Sequence, residues 1–228
     1  MIAGLDGCED GWMAACQSES GEIELRFVER PEDRLQETRT RMLAIDIPIG
    51  LLDRSPRGAD VAARRLLKGR SSCVFNAPIR PILAANSQSD ANRIWREVEG
   101  KGCSAQGFAL VTKVVEIDEL VRRRSGIRVR LLEGHPEVSF AKMNGEAALP
   151  VSKHSQEGLQ LRCDLLANAF ERDVERLVSR QPRSMRTDAV HALALLWTAR
   201  RADSNKASRF PSEIVERDRF GIEAVIIA

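Results

Sequence analysis

The chain has 228 residues, 43% hydrophobic and 30% charged, which is enough apolar material to bury a full core within one large domain. Its net charge of +2 excludes a polycation that holds nucleic acid by bulk charge. Five scattered cysteines (Cys8, Cys16, Cys73, Cys103, Cys163) without a C-x-x-C pair exclude a disulfide framework and a thiolate zinc site, and a reducing cytoplasm is the expected location.

Met1 to Asp6 carry no basic leader region, and no apolar run reaches membrane-spanning length, so neither a secretory leader nor a membrane partner is expected. Ile2-Ala3-Gly4-Leu5-Asp6 reads as a short buried strand, and Trp12 to Cys16 as its hairpin partner across a glycine-containing turn. Glu22 to Glu29 alternates Ile23, Leu25 and Phe27 with polar residues, the period of a third strand. Pro31 to Thr40 reads as a short helix leading to Met42-Leu43-Ala44-Ile45-Asp46-Ile47, an apolar central strand. Helices are expected at Ala59 to Lys68 and Asp90 to Glu99. A Ser/Pro/Asn-rich loop from Arg70 to Pro81 lies between them, and a break at Gly100 to Gly107 follows.

Further on, Lys113 to Arg124 has the pattern of an amphipathic helix, and Ile127 to Leu132 that of a strand running into Gly134-His135-Pro136-Glu137. Gly158 to Val178 carries apolar residues at helical spacing and reads as one helix. Asp188 to Arg200 is apolar nearly all round and reads as a buried helix, while Ala224 to Ile227 is either an edge strand or an arm. The expected fold is α/β: a mixed five-stranded sheet, three antiparallel strands and then parallel additions, flanked by helices. One domain spans 1–228, with a helical and loop insertion at about 54–110.

Asp46 is the strongest chemical signal. An ionised carboxylate in the apolar run Leu43 to Pro48 costs several kcal/mol unless a metal or hydrogen-bond network meets it. It stands at a strand's carboxyl end, where open α/β sheets place ligands; a bond to its own turn backbone is the plainer reading. Asp6 also ends an apolar run, although Asp-Gly is a common hairpin dipeptide. Asp188 and His191, three apart, project from one helix face toward a shared ion, or else serve as a first-turn acid and a core histidine. Glu137, with Glu133 as a weaker rival, is a candidate acid or a first-turn residue behind Pro136. Arg70, Ser71 and Ser72, and Lys153 after Ser152, are candidate phosphate contacts or plain solvated loop.

Several short motifs in register resemble the family of predicted RNase H-like nucleases known as domain of unknown function 429. They are Gly4-Leu5-Asp6-Gly7-Cys8 with Gly11-Trp12, Asp46-Ile47-Pro48-Ile49-Gly50, Ala62 to Leu67 before Ser71 to Phe75, His135 to Phe140, Ser152-Lys153, and Asp188 to Ala194. The resemblance covers nearly the whole chain. It implies an RNase H-like fold, distantly related to RuvC-type resolvases, in which carboxylates of the first strand, the fourth strand and the last helix share Mg²⁺ or Mn²⁺. Asp6, Asp46 and Asp188 fall on those positions. His191 falls where the family more often has a second Asp, and imidazole favours Mn²⁺ over Mg²⁺.

The function expected from this is metal-dependent hydrolysis of phosphodiester bonds by a two-metal carboxylate site, with Asp6, Asp46, Glu137, Asp188 and His191 as its residues and nucleic acid as a candidate partner. The alternatives are a non-catalytic binding scaffold and a phosphotransferase of the actin-like and sugar-kinase type. Two such lobes barely fit in 228 residues.

Overall fold

The computed structural model describes residues 1–36, 40–100, 102, 108–128 and 130–228. Strands β1 (Ile2–Cys8) and β2 (Gly11–Gln17) pair antiparallel from Ile2 opposite Gln17 to Cys8 opposite Gly11, so the hairpin turns at Glu9 and Asp10. Asp6 is therefore not a turn residue. It lies inside the ladder opposite Met13. Strand β3 (Ile23–Val28) extends the meander, helix α1 covers Pro31–Gln36, and residues 37–39 of the expected helix lie outside the described residues. Strand β4 (Met42–Ile45) then pairs parallel to β1, with Leu5 opposite Ile45, and β5 (Leu131–Glu133) pairs parallel to β4. The order is β3-β2-β1-β4-β5, a mixed five-stranded sheet with β1 at its centre.

Alternation along the strands decides which face each side chain meets. Ala3, Leu5, Leu43 and Ile45 pack in one cluster with Val114, Ile117 and Val121 of helix α4 (Val111–Arg123); helices α2 (Gly58–Leu66) and α3 (Gln88–Glu99) precede α4 in the chain. Ile2 and Ala44 fall on the other face, in a cluster with the chain's longest helix, Arg186–Asp203. The same alternation puts Gly4, Asp6 and Asp46 on that helix's side. Ahead of the long helix come α5 (Pro136–Met143), α6 (Gln156–Phe170) and α7 (Val174–Ser179), which makes it α8. Between Ala189 and Ala199 it is buried nearly all round, because β1, β2 and β4 lie under it while α5, α6 and α7 flank it.

Gly4 sets how closely α8 approaches. A β-carbon there would fall 2.1 Å from the Leu196 nitrogen and 2.3 Å from the Ala192 oxygen, so helix and strand backbones touch.

Several boundaries differ from the pattern reading. The single helix expected over Gly158 to Val178 is two, because Glu171 takes a left-handed φ of 53° and the Asp173 carboxylate then accepts from the Arg176 N–H to start α7. The strand expected from Ile127 starts later, since Ser125–Ile127 forms a 3₁₀ turn; residue 129 lies outside the described residues. The loop at 70–81 holds a 3₁₀ turn at Ser71–Cys73, and another at Arg80–Ala84 spans its end. Of the expected break at 100–107, Gly100 closes α3 with a φ of 68°, while 101 and 103–107, including Cys103, lie outside the described residues. The tail is a strand: β7 (Ile226–Ile227) pairs antiparallel with β6 (Arg209–Phe210) and bridges Gly134 beside β5. No helix among the described residues is long and apolar enough to cross a membrane.

Candidate functional site

At the carboxyl end of the central strands, the Asp46 N–H donates to the Leu5 carbonyl at 3.1 Å, which draws the chain after β4 against β1 beside Asp6. From above, α8 brings His191 one residue before the Ala192 carbonyl that meets Gly4, and the His191 Nδ1 stands 3.3 Å from the Asp6 Oδ2. Both side chains are buried. Asp188, one turn earlier on the same helix face, is close enough to Asp6 for the two carboxylates to repel.

The electrostatics follow from this crowding. Burial is the larger cause and the Asp6 carboxylate the next, and together they push the Asp188 carboxyl up to about 6. Burial likewise raises Asp46. His135, His191 and Lys153 oppose that rise, while Asp6 adds to it. Cys8 is pushed up by burial and by the Asp188 charge. Three carboxylates thus share a neighbourhood whose nearby basic groups are two imidazoles and one lysine.

A cleft of about 200 Å³ opens beside Asp46, which lines it together with His135, Glu137, Lys153 and His191. Two buried ring nitrogens here have no hydrogen-bond partner: His191 Nε2 and His135 Nδ1. The His135 Nε2 donates to the Cys73 carbonyl at 3.2 Å, so its Nδ1 is the bare acceptor nitrogen.

Not every residue singled out in the sequence comes to this cleft. Asp6 and Asp188 stand behind it rather than on its wall, and Arg70, Ser71 and Ser72 are also off its lining; Arg70 donates to the Val151 carbonyl at 3.3 Å, and the two serines are solvent-exposed. Glu137 is on the wall, but Arg162 holds both its oxygens at 3.0 and 2.7 Å. Burial alone would raise the Glu137 carboxyl, yet the two Arg162 bonds hold it below the ordinary carboxylate range.

The sequence reading missed other groups. His135 sits in a quoted motif without a role, and Arg57 and Asp60 carried no signal. Arg57, 2% exposed, bonds Glu133 at 2.6 and 2.8 Å and Asp60 at 2.7 Å, and gives the Ile49 carbonyl a further bond at 2.9 Å. Asp60 also accepts the Ala77 N–H at 3.1 Å, and Glu133 the Ile49 N–H at 2.7 Å, so this network ties the loop after β4 to α2 and β5. Glu133, the rival of Glu137, is thus an ion-pair residue too. No pattern in the sequence shows these pairings, because the partners lie up to 76 positions apart.

In chemistry the site's donors suit a hard or borderline divalent ion: carboxylates and an imidazole whose outer nitrogen is unpartnered while its inner nitrogen faces a carboxylate. In arrangement, no three His, Cys, Asp or Glu side chains among the described residues already stand together as a metal cluster. Comparison with curated proteins finds no match, and comparison with solved structures finds none either. A family model described as Protein of unknown function (DUF429) matches residues 4–216, and the chain belongs to that family.

Proposed function

We propose that this protein has an RNase H-like fold and hydrolyses phosphodiester bonds with a divalent cation, Mg²⁺ or Mn²⁺, held by Asp46, Asp6, Asp188 and His191. The fold reading is supported by the strand order β3-β2-β1-β4-β5, three antiparallel strands followed by two parallel ones, with α8 laid across the centre. The observation that carries the function is the placement of Asp6, on β1, next to Asp46, directly after the parallel neighbour β4, under a helix that brings Asp188 and His191 to them.

Such crowding of buried acids is unfavourable without a cation, and a divalent ion, when bound, supplies charge neutralisation at the phosphate and lowers the pKa of water. The chain's own groups supply the rest. Asp6 orients the His191 ring, so that its Nε2 is presented as the donor nitrogen. Lys153 adds a positive charge to the cleft for a phosphate oxygen. The bare Nδ1 of His135 is a proton acceptor on the same wall. Because the side chains are not drawn into a three-ligand cluster, ion binding includes closing them together. A cytoplasmic location goes with this reading, since the described cysteines are free thiols, the state a reducing compartment maintains.

The test is Mn²⁺-dependent cleavage of a labelled oligonucleotide by purified protein. Asp6→Asn and Asp46→Asn are each expected to remove it by orders of magnitude with the fold retained. Cleavage surviving Asp46→Asn at the wild-type rate would sink the assignment. The dispersed ligands favour one second reading, a non-catalytic scaffold, which predicts neither Mn²⁺ binding by calorimetry nor cleavage.

A further inference from the structure

The cleft is lined by two chemically different sets of side chains. Asp46, His135, His191 and Lys153 are on its wall with the arginine-paired acids Asp60, Glu133 and Glu137. Val74, Phe75, Pro78, Trp95 and Leu110 give the same wall an apolar part. Phe75 is 62% exposed, among the largest exposures of any big apolar side chain in the described structure. Leaving a phenyl ring in water contributes nothing to folding, yet the backbone on either side of this one is anchored. Arg64 donates to the Val74 carbonyl at 3.1 Å on one side of it, and the Ala77 N–H donates to the buried Asp60 at 3.1 Å on the other. An exposed aromatic ring with a pinned backbone is a preorganised platform for a flat ligand.

Lys153 also borders a second depression, where Arg183 and Arg186 lie. Arg183 is exposed and has no ion-pair partner among the described residues. A flat ring next to a phosphate, followed by further negative charge, describes a polynucleotide strand. In a duplex each base face is covered by its neighbours, so only an unpaired, unstacked base can lie on Phe75.

We infer that the cleft takes single-stranded nucleic acid, one base against Phe75, the adjoining phosphate at Lys153 and the next toward Arg183. This rests on the proposed hydrolase reading for its purpose but not for its test. Binding is measured by fluorescence anisotropy in EDTA, where no turnover occurs, with a labelled mixed-sequence 12-nucleotide DNA, the matching RNA, and a hairpin duplex of the DNA. Wild type is expected to bind single strands at least tenfold tighter than the hairpin. Phe75→Ala should weaken single-strand binding about tenfold, since one base stacked on an aromatic ring is worth about 1–3 kcal/mol, and Phe75→Trp should restore it.

Arg183→Ala should weaken binding alike for all sequences and lower the slope of log K against log salt by about 1. The DNA and RNA arms separate the two sources of strand. Equal affinity for hairpin and single strand, or no effect of Phe75→Ala, overturns the inference even if Mn²⁺-dependent cleavage is found. Phe75-dependent binding without cleavage retires the hydrolase reading and leaves this one standing.

Discussion

Two groups of buried and half-buried acids in this molecule are handled in opposite ways. In the first, every carboxylate has a guanidinium: Glu133 and Asp60 meet Arg57, Glu137 meets Arg162, and Asp118 and Asp218 meet Arg80 at 2.9 and 2.5 Å. In the second, Asp6, Asp46 and Asp188 face one another with two histidines and a lysine. A chain with 35 lysines and arginines could have placed an arginine there, as it does at the end of the neighbouring strand β5, where Arg57 meets Glu133. The difference teaches that burial of an acid is not by itself the mark of a site. Burial beside other acids with no paired arginine among the described residues is the better pointer, because the charge balance then has to come from protonation or from a bound ion.

The largest expected effect comes from breaking the paired region. Arg57→Met leaves Glu133 and Asp60 buried without their counter-charge and should destabilise the fold by about 3–5 kcal/mol in urea unfolding, while adding Glu133→Gln and Asp60→Asn should recover most of that. A loss below about 1 kcal/mol would mean that water reaches these acids and that the contrast is misdrawn.

Next comes the contact that builds the crowded region. Gly4→Ala forces a methyl group against the backbone of α8, at a stability loss of about 1–3 kcal/mol, and by shifting His191 and Asp188 off the strands it should also reduce the rise in melting temperature on adding Mn²⁺. Stability loss with an unchanged Mn²⁺ response would separate helix seating from the site.

Asp46→Asn removes one of the repelling charges, so in EDTA it should raise the melting temperature by about 2–4 °C, about 1 kcal/mol at this chain length, while abolishing the Mn²⁺ response. A lower melting temperature in EDTA would show that the Asp46 charge is already satisfied by the protein.

The smallest effect is in pH, and its sign differs between the regions. Glu137, held below its ordinary value of 4.5, adds stability that is present above that value and is lost as pH falls through the folded value. Asp188, raised from 3.8 to about 6, does the reverse: it removes stability progressively as pH rises between those two values and by a constant amount above. Because Asp188 is about half exposed, solvent screening keeps this below about 1 kcal/mol. Urea melts from pH 3.5 to 7 should therefore show Glu137→Gln approaching wild type in acid, and Asp188→Asn becoming the more stable protein above pH 6. The same sign for both variants would break the comparison.

His191→Asp replaces the imidazole with a carboxylate and should shift ion preference from Mn²⁺ toward Mg²⁺ in calorimetric titration, since a hard oxygen donor suits the harder ion.

The sheet was legible in the sequence because it is written locally. Ile23, Leu25 and Phe27 alternate along β3, the apolar runs of β1 and β4 end near Asp6 and Asp46, and Asp188 to Arg200 is apolar nearly all round, so each element declares its period within its own few residues. The candidate acids were legible for the same reason, each being a charge set in an apolar run. What a run cannot show is its partner. Glu137 and Asp46 look alike as acids in apolar surroundings, and only the packing of α6 on α5 reveals that Arg162 reaches one of them while nothing of its kind reaches the other.

Sequence alone therefore determined the element types, the sheet's composition and the family to which the motifs belong, all set by periods of two and 3.6 residues and by short motifs read along the chain. The tertiary structure decided which acids are neutralised from within and which are left to one another. It put Asp60 three positions from Arg57 and Glu133 76 positions from it around one guanidinium, and it closed α8 onto Gly4 so that His191 meets Asp6. Coulomb interaction depends on distance in space, and a linear sequence specifies that distance only after the chain has folded.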